Sequence, residues 1–291
     1  MNKQIFFALF AAIFSLASCE KGYEAESESG GTSEEGSVKV AFNIVSVDQA
    51  DITETGTTGL EQYCTRVNLA AFNEAGTKTS LNQTSSDSDF GTLSLTLSEG
   101  DYDVVIIAHS GTGNATISSV DEIKFPNNKM TDTFYYYGQI TVSGSGSYDI
   151  TLERAVAMFR FIITDTTPTN VTQMQFYYTG GSSTFDATTG FGCVQSRQTE
   201  VRDVADEAYE GQSQYEVYTL PHTTDDTLKV VVTALDADGT SILERTFTDV
   251  PVTVNKVTQY TGEFFGSTTE QGSLGITLSI DAEWDLDEYS Y

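Results

Sequence analysis

Leu93-Ser-Leu-Thr-Leu-Ser-Glu-Gly-Asp-Tyr-Asp-Val-Val-Ile-Ile-Ala108 reads as two strands joined by a tight turn. Leu93, Leu95 and Leu97 alternate with Ser94 and Thr96, the period of a strand with one buried face. Ser98-Glu99-Gly100 supplies turn residues. Tyr102 to Ala108 is a continuous apolar run, short enough for a strand buried on both faces.

The same pattern spreads outward from this pair. Towards the N-terminus, Val38, Val40, Phe42 and Ile44 alternate with Lys39, Ala41 and Asn43, and Val67 to Phe72 precedes the turn Asn73-Glu-Ala-Gly76. Towards the C-terminus, Phe134 to Val142 and Tyr148 to Leu152 flank the Gly/Ser turn Ser143 to Ser147. Ala155 to Ile163 and Val171 to Thr179 follow, the latter ending at Gly180-Gly181. The polar stretch Ser182 to Gln214 reads as loops with room for one short helix near Val201 to Tyr209. Tyr215 to Leu220, Leu228 to Leu235, Ile242 to Phe247, Val257 to Phe265 and Leu274 to Ile280 complete the set. Asp236-Ala-Asp-Gly239 is a hairpin turn. With no amphipathic helix of usual length, the fold class is all-β, and short strands with Gly, Asn and Asp turns favour sandwiches. Two sandwiches fit better than one, 37–152 and 153–291, with the boundary near Glu153. Arg154 and Arg160, at this boundary, either pair with carboxylates to fix the junction or stand at ordinary exposed strand positions.

The N-terminal region sets the expected compartment. Lys3, the apolar run Ile5 to Leu16 and the small residues Ala17-Ser18 before Cys19 form a lipoprotein signal peptide, residues 1–19, too short to span a bilayer. Cys19 is the expected lipidation site, with palmitate among its acyl chains, since durable anchoring takes more than one chain. Residues 20–36 are an acidic flexible tether, poor in apolar residues, reaching on the order of 20–25 Å as a coil.

Composition excludes several functions. The chain of 291 residues carries 42 acidic and 14 basic side chains, a formal charge of −28. Nucleic-acid binding is disfavoured, because phosphate affinity comes from Lys and Arg. Cys64 and Cys193 read as isolated thiols rather than a disulfide, although an exported compartment permits one. His109 and His222 lie far apart at structural positions, and neither they nor the cysteines have metal-ligand spacing. No metal or cofactor is expected. Asp87-Ser-Asp and Asp236-Ala-Asp-Gly lack the downstream ligands of calcium loops. No Gly-x-Ser-x-Gly elbow or phosphate loop is present, so an enzyme is not expected. Phe134-Tyr-Tyr-Tyr137 either stacks sugars or sends alternate rings into a core; the core is favoured.

The order of parts resembles the fimbrillins, subunits of the type V pili of Bacteroidetes. The matching parts begin with Leu16-Ala-Ser-Cys19, Leu97-Ser-Glu-Gly-Asp-Tyr-Asp-Val-Val-Ile-Ile107 and Met130-Thr-Asp-Thr-Phe-Tyr-Tyr-Tyr-Gly138. Leu152-Glu-Arg-Ala-Val-Ala-Met-Phe-Arg-Phe161, Val254-Asn-Lys-Val-Thr-Gln-Tyr-Thr-Gly-Glu-Phe264 and a terminal strand with Trp284 complete them. The acidic residues behind Cys19 resemble surface-export signals of Bacteroidetes lipoproteins. The resemblance implies two transthyretin-like β-sandwich domains in tandem. It further implies export as a lipoprotein to the outer membrane, and assembly with other fimbrial subunits by β-strand exchange.

In shaft fimbrillins a protease cuts after an early Arg or Lys and removes the first strand. Among Lys39, Arg66, Lys78, Lys124 and Lys129, only Arg66 lies between the first two strands, which makes it the candidate maturation cleavage site. The alternative is that Arg66 simply begins the Val67 strand. The expected function is therefore a structural or adhesive subunit of a cell-surface fimbria, whether anchor, shaft or tip. Host or bacterial surface receptors are further candidate partners. The competing reading is a surface glycan-binding lipoprotein.

Overall fold

A computed structural model of the chain describes residues 36–47, 50–51, 59–266 and 277–281. The first ten strands are β1 (Ser37–Val47), β2 (Ala50–Asp51), β3 (Arg66–Asn73), β4 (Lys78–Thr84), β5 (Thr92–Ser98), β6 (Gly100–His109), β7 (Thr116–Ser119), β8 (Glu122–Lys124), β9 (Thr133–Val142) and β10 (Gly146–Arg154). The next five are β11 (Ala157–Ile163), β12 (Gln173–Ser182), β13 (Thr184–Asp186), β14 (Phe191–Gly192) and β15 (Gln195–Asp203). The last five are β16 (Ser213–Thr219), β17 (Asp226–Leu235), β18 (Ser241–Val252), β19 (Val257–Gly262) and β20 (Thr277–Asp281). Among the described residues the only helical turns are short 3-10 turns. One of them, Asp206–Tyr209, is all that forms of the helix expected near Val201 to Tyr209, because Val201 continues β15.

In the first half, β5, β1 and β10 form one sheet, and β4, β3, β6 and β9 form another. β10 belongs to both: Gly146–Leu152 runs parallel to β1, and Glu153–Arg154 turns to pair with β9. The alternation explains the burial. Val40, Phe42 and Ile44 of β1, Leu93, Leu95 and Leu97 of β5, and Ile150 and Leu152 of β10 meet Leu69, Val104, Ile106 and Phe134 from the second sheet. Each such side chain, fully buried, contributes about 1.5–3 kcal/mol.

The second half repeats the order. β16, β11 and β19 form one sheet, extended by β20, and β15, β12, β17 and β18 form the other. As β1 runs parallel to β10, so β11 runs parallel to β19. Phe159, Phe161, Phe176, Val230, Val232 and Phe247 fill the core between these sheets. β12 runs past Thr179, where the sequence reading ended it. Gly180 and Gly181 make a bulge that shifts the register, and Gly180 has a φ of +103°, with no room for a Cβ beside the Thr227 carbonyl.

A third sheet joins the halves. Hairpin β7–β8, inserted between β6 and β9, pairs with β13–β14, inserted between β12 and β15. Val105, Ile107, Ile117, Ile123, Phe125, Met158, Phe185 and Leu220 close a buried cluster beneath it.

Candidate functional site

The segment with the most functional weight in the sequence runs from Cys19 through the first strand to Arg66. Cys19 and the tether up to residue 35 lie outside the described residues. β1 is the middle strand of its sheet, antiparallel to β5 from Ser37 to Asn43 and parallel to β10 from Val40 to Val47. Its inward residues Val40, Phe42 and Val47 are almost fully buried. Phe42 stacks on Tyr148 with ring centroids 5.7 Å apart. The Ser46 hydroxyl donates to Thr151 Oγ1 at 2.7 Å. Removing β1 would therefore open an apolar groove between β5 and β10.

Arg66 begins β3, paired with Thr84 on one side and His109 on the other. Its guanidinium donates to the Gly111 carbonyl at 3.0 Å, Asn114 Oδ1 at 3.1 Å and the Thr112 carbonyl at 3.3 Å. The next residue, Val67, is fully buried. A protease that reads an extended, unpaired segment would have to open this end of β3 first.

The neighbouring His109 is a structural residue, as the sequence suggested. Its Nδ1 accepts from the Gly111 amide at 3.0 Å, so Nε2 carries the proton and donates to Asn68 Oδ1 at 3.1 Å. Burial, and secondarily the Arg66 charge, hold its pKa down at about 4. His222 donates its backbone amide to Asp226 and contacts the Gly192 carbonyl through Nδ1.

Of the two boundary arginines, Arg154 fixes the junction. Its buried guanidinium holds both Asp132 oxygens, at 2.8 and 3.0 Å, and donates to Asn255 Oδ1 at 2.7 Å. It also lies 4.8 Å from the Phe134 ring centroid. Arg160 pairs with Glu216 at 2.9 Å, across β11 and β16. Asp132 and Asn255, 22 and 101 residues from Arg154, carried no sequence signal.

The ring run Phe134 to Tyr137 divides between two buried clusters. Phe134 and Tyr136 pack on the first core, Tyr135 and Tyr137 on the junction cluster. Cys64 is a buried free thiol and Cys193 an exposed one. Asp87 and Asp236 serve their own turns, accepting backbone amides from Thr84 and from Asp238 and Thr240. Among the described residues no three His, Cys, Asp or Glu converge as a metal site, and no helix is long and apolar enough to cross a membrane. The hairpins that clasp the halves were missed by the sequence reading. Asp186 to Gly190, a turn cluster between Phe185 and Phe191, was the signal available.

A family model described as fimbrillin-A associated anchor proteins Mfa1 and Mfa2 matches residues 28–290. No curated protein matches the chain. Among solved structures, an adhesin candidate of Bacteroides ovatus is similar at 13% identity and a TM-score of 0.49, over 73% of this chain and 82% of that one. The fimbrial anchor protein Mfa2 of Porphyromonas gingivalis is similar at 11% identity and a TM-score of 0.44, over 84% and 97%. The tip fimbrial protein Mfa3 of the same organism is similar at 10% identity and a TM-score of 0.41, over 84% and 99%.

Proposed function

The chain belongs to the fimbrillin-A associated anchor protein family, and from that membership we propose that it is an anchor-type subunit of a cell-surface fimbria. It is exported as a lipoprotein, held at the outer membrane by lipid on Cys19, and joined to other fimbrial subunits through β-strands. Its family is one of fimbrial proteins and not of enzymes. The two halves, 37–152 and 153–291, are transthyretin-like domains in tandem, a reading supported by their common strand order.

The observation that carries the anchor reading is the setting of Arg66. Its backbone is paired on both sides and its guanidinium makes three hydrogen bonds. The chain therefore resists a cut there, and β1 stays joined to the tether and its lipid. A shaft subunit would instead lose β1 and accept a donor strand in the vacated groove. The glycan-binding alternative loses its best motif as a free ring platform, since Phe134 is buried and Tyr135, Tyr136 and Tyr137 lie half-buried against the clusters on the two faces of β9.

Mass spectrometry of the mature protein from cells tests this. A lipidated Cys19 with Ser37–Val47 retained is expected. A start at Val67, with an SDS-resistant ladder on mild heating, would overturn it in favour of a shaft subunit.

A further inference from the structure

The outer face of one sheet is covered in the first half and open in the second. By strand order, β4, β3, β6 and β9 correspond to β15, β12, β17 and β18. On the first of these sheets the outward side chains Ala70, Val105 and Ile107 are buried in the junction cluster, with Tyr135 and Tyr137 packed against it. On the second, alternation sends Phe176, Tyr178, Val230 and Val232 into the core and turns Tyr177, Thr179, Lys229 and Val231 outward. Cross-strand register sorts this open face into rows. Thr179 lies between Arg197 on β15 and Lys229 on β17. Two residues back along β12, about 7 Å away, Tyr177 lies between Thr199 and Val231. Arg197, Thr199 and Lys229 are exposed, and Tyr177 is half-buried.

Charge sets the first row apart. In a chain with 42 acidic and 14 basic residues, most cations are taken up internally. Lys124, Lys129, Arg154, Arg160 and Arg202 pair with carboxylates. Arg66, Lys78 and Arg245 donate to carbonyl oxygens. Among the described residues, Arg197 and Lys229 do neither, although they flank a single threonine. The remaining two such cations, Lys39 and Lys256, belong to different halves. Thr248 and Asp249 bulge opposite Lys229, and Asp249 forms no ion pair with it. The other carboxylates on this face stand further along it, Glu244 opposite Thr233 and Asp203 opposite Gln173.

We propose that this face binds an acidic polysaccharide, with a carboxylate or sulfate group held between Arg197 and Lys229 over Thr179 and an adjoining sugar ring laid on Tyr177. The two cations rise from strands about 9.5 Å apart, two strand spacings, so both long side chains reach one anion. Tyr177 offers part of a ring, and Thr179 and Thr199 offer hydroxyls, which together match the apolar face and polar rim of a sugar. β12 and β17 are paired on both sides. Their main-chain groups are spent in the sheet, so a peptide laid here would leave its own amides without partners. A sugar polymer has no such groups to satisfy. The chain's charge of −28 opposes polyanions at long range. At physiological salt the Debye length is about 8 Å, so distant carboxylates are screened while the two cations act at contact. The site lies apart from β1 and Arg66 and does not depend on the anchor reading.

The test measures binding of the purified full chain to immobilised polygalacturonate, dextran sulfate, neutral dextran and polyglutamate at physiological salt. Retention is expected on polygalacturonate or dextran sulfate, and whichever binds names the anion. Neutral dextran and polyglutamate should not retain the chain. Arg197→Gln with Lys229→Gln should weaken binding about tenfold, the worth of two exposed ion pairs. Tyr177→Ala should weaken it about fivefold, and Lys39→Gln, a cation of the other half, should leave it unchanged. All these side chains point outward, and an unchanged urea midpoint checks that each variant folds. No retention on either acidic polysaccharide would overturn the proposal. So would retention on neutral dextran, or equal retention on polyglutamate, which would mean a site for acidic peptides. A double variant or a Tyr177→Ala variant that binds as well as the native chain would overturn it too, as would a loss at Lys39→Gln equal to that of the double variant.

Discussion

The two halves share a strand order but fill their cores with different side chains. The first core is mainly aliphatic, with Val40, Ile44, Leu69, Leu93, Leu95, Val104 and Ile106 around the Phe42–Tyr148 stack. The second is an aromatic network, in which Phe161 meets Phe159, Phe247 and Phe264 at centroid distances of 6.2, 5.3 and 5.7 Å. The strand order therefore does not depend on one jigsaw of side chains. It depends on alternation, which both sequences keep, and on volume, which rings or branched chains supply equally well.

The largest expected effect tests this contrast directly. Phe161→Ala should destabilise by about 4 kcal/mol, and Phe42→Ala by about 1 kcal/mol less, because one ring contact is lost rather than three. Chemical denaturation measures both, and equal losses would break the contrast. Next comes the junction. Arg154→Ala removes the guanidinium that Asp132 and Asn255 share and opens the seam between the halves, at about 3 kcal/mol. Calorimetry should then show two separated transitions where the native chain shows one. A single transition for the variant would mean that the clasp of β7–β8 and β13–β14 suffices to couple the halves.

A smaller effect, confined to the first half, depends on pH. His109 is held neutral when folded, with a pKa of about 4 against 6.5 unfolded. The unfolded chain thus binds the extra proton first as pH falls, so stability declines from about pH 6.5 towards pH 4 and levels below that. At about pH 5 the loss should be about 2 kcal/mol relative to neutral pH. His109→Gln should remove that part of the slope, as followed by urea midpoints across the range. The smallest effect leaves stability untouched: of Cys64 and Cys193, only Cys193 should react with a thiol reagent before unfolding. Burial shields Cys64 and raises its pKa well above the ordinary thiol value.

Much of the strand content was legible because alternation is local. Val38 to Ile44, Leu93 to Leu97 and Leu228 to Leu235 all declare their buried faces within seven or eight residues. β7, β8, β13 and β14 were not legible. Each has two to four residues, and the pairing of Ile123 with Phe185 spans 62 positions of chain. The candidate site divided in the same way. Arg66 was visible as the lone basic residue between two strands, whereas its three acceptors at Gly111, Thr112 and Asn114 come from a loop beyond β6. Arg154 stood out as a cation in an acidic chain, but which carboxylate took it could not be read from neighbours in sequence.

By itself, then, the sequence determined the all-β class, most strands, the inward face of each and the order of parts that marks a fimbrial protein. These follow from residue type and a period of two, which the chain carries within each segment. Only the tertiary structure decided which strands became neighbours and which edges closed. It set β1 between β5 and β10, buried Arg154 against Asp132 and Asn255, and gave β19 a partner strand along the edge that β10 leaves open. Such choices depend on main-chain groups that are alike at nearly every residue, so only the arrangement of the whole chain selects among them.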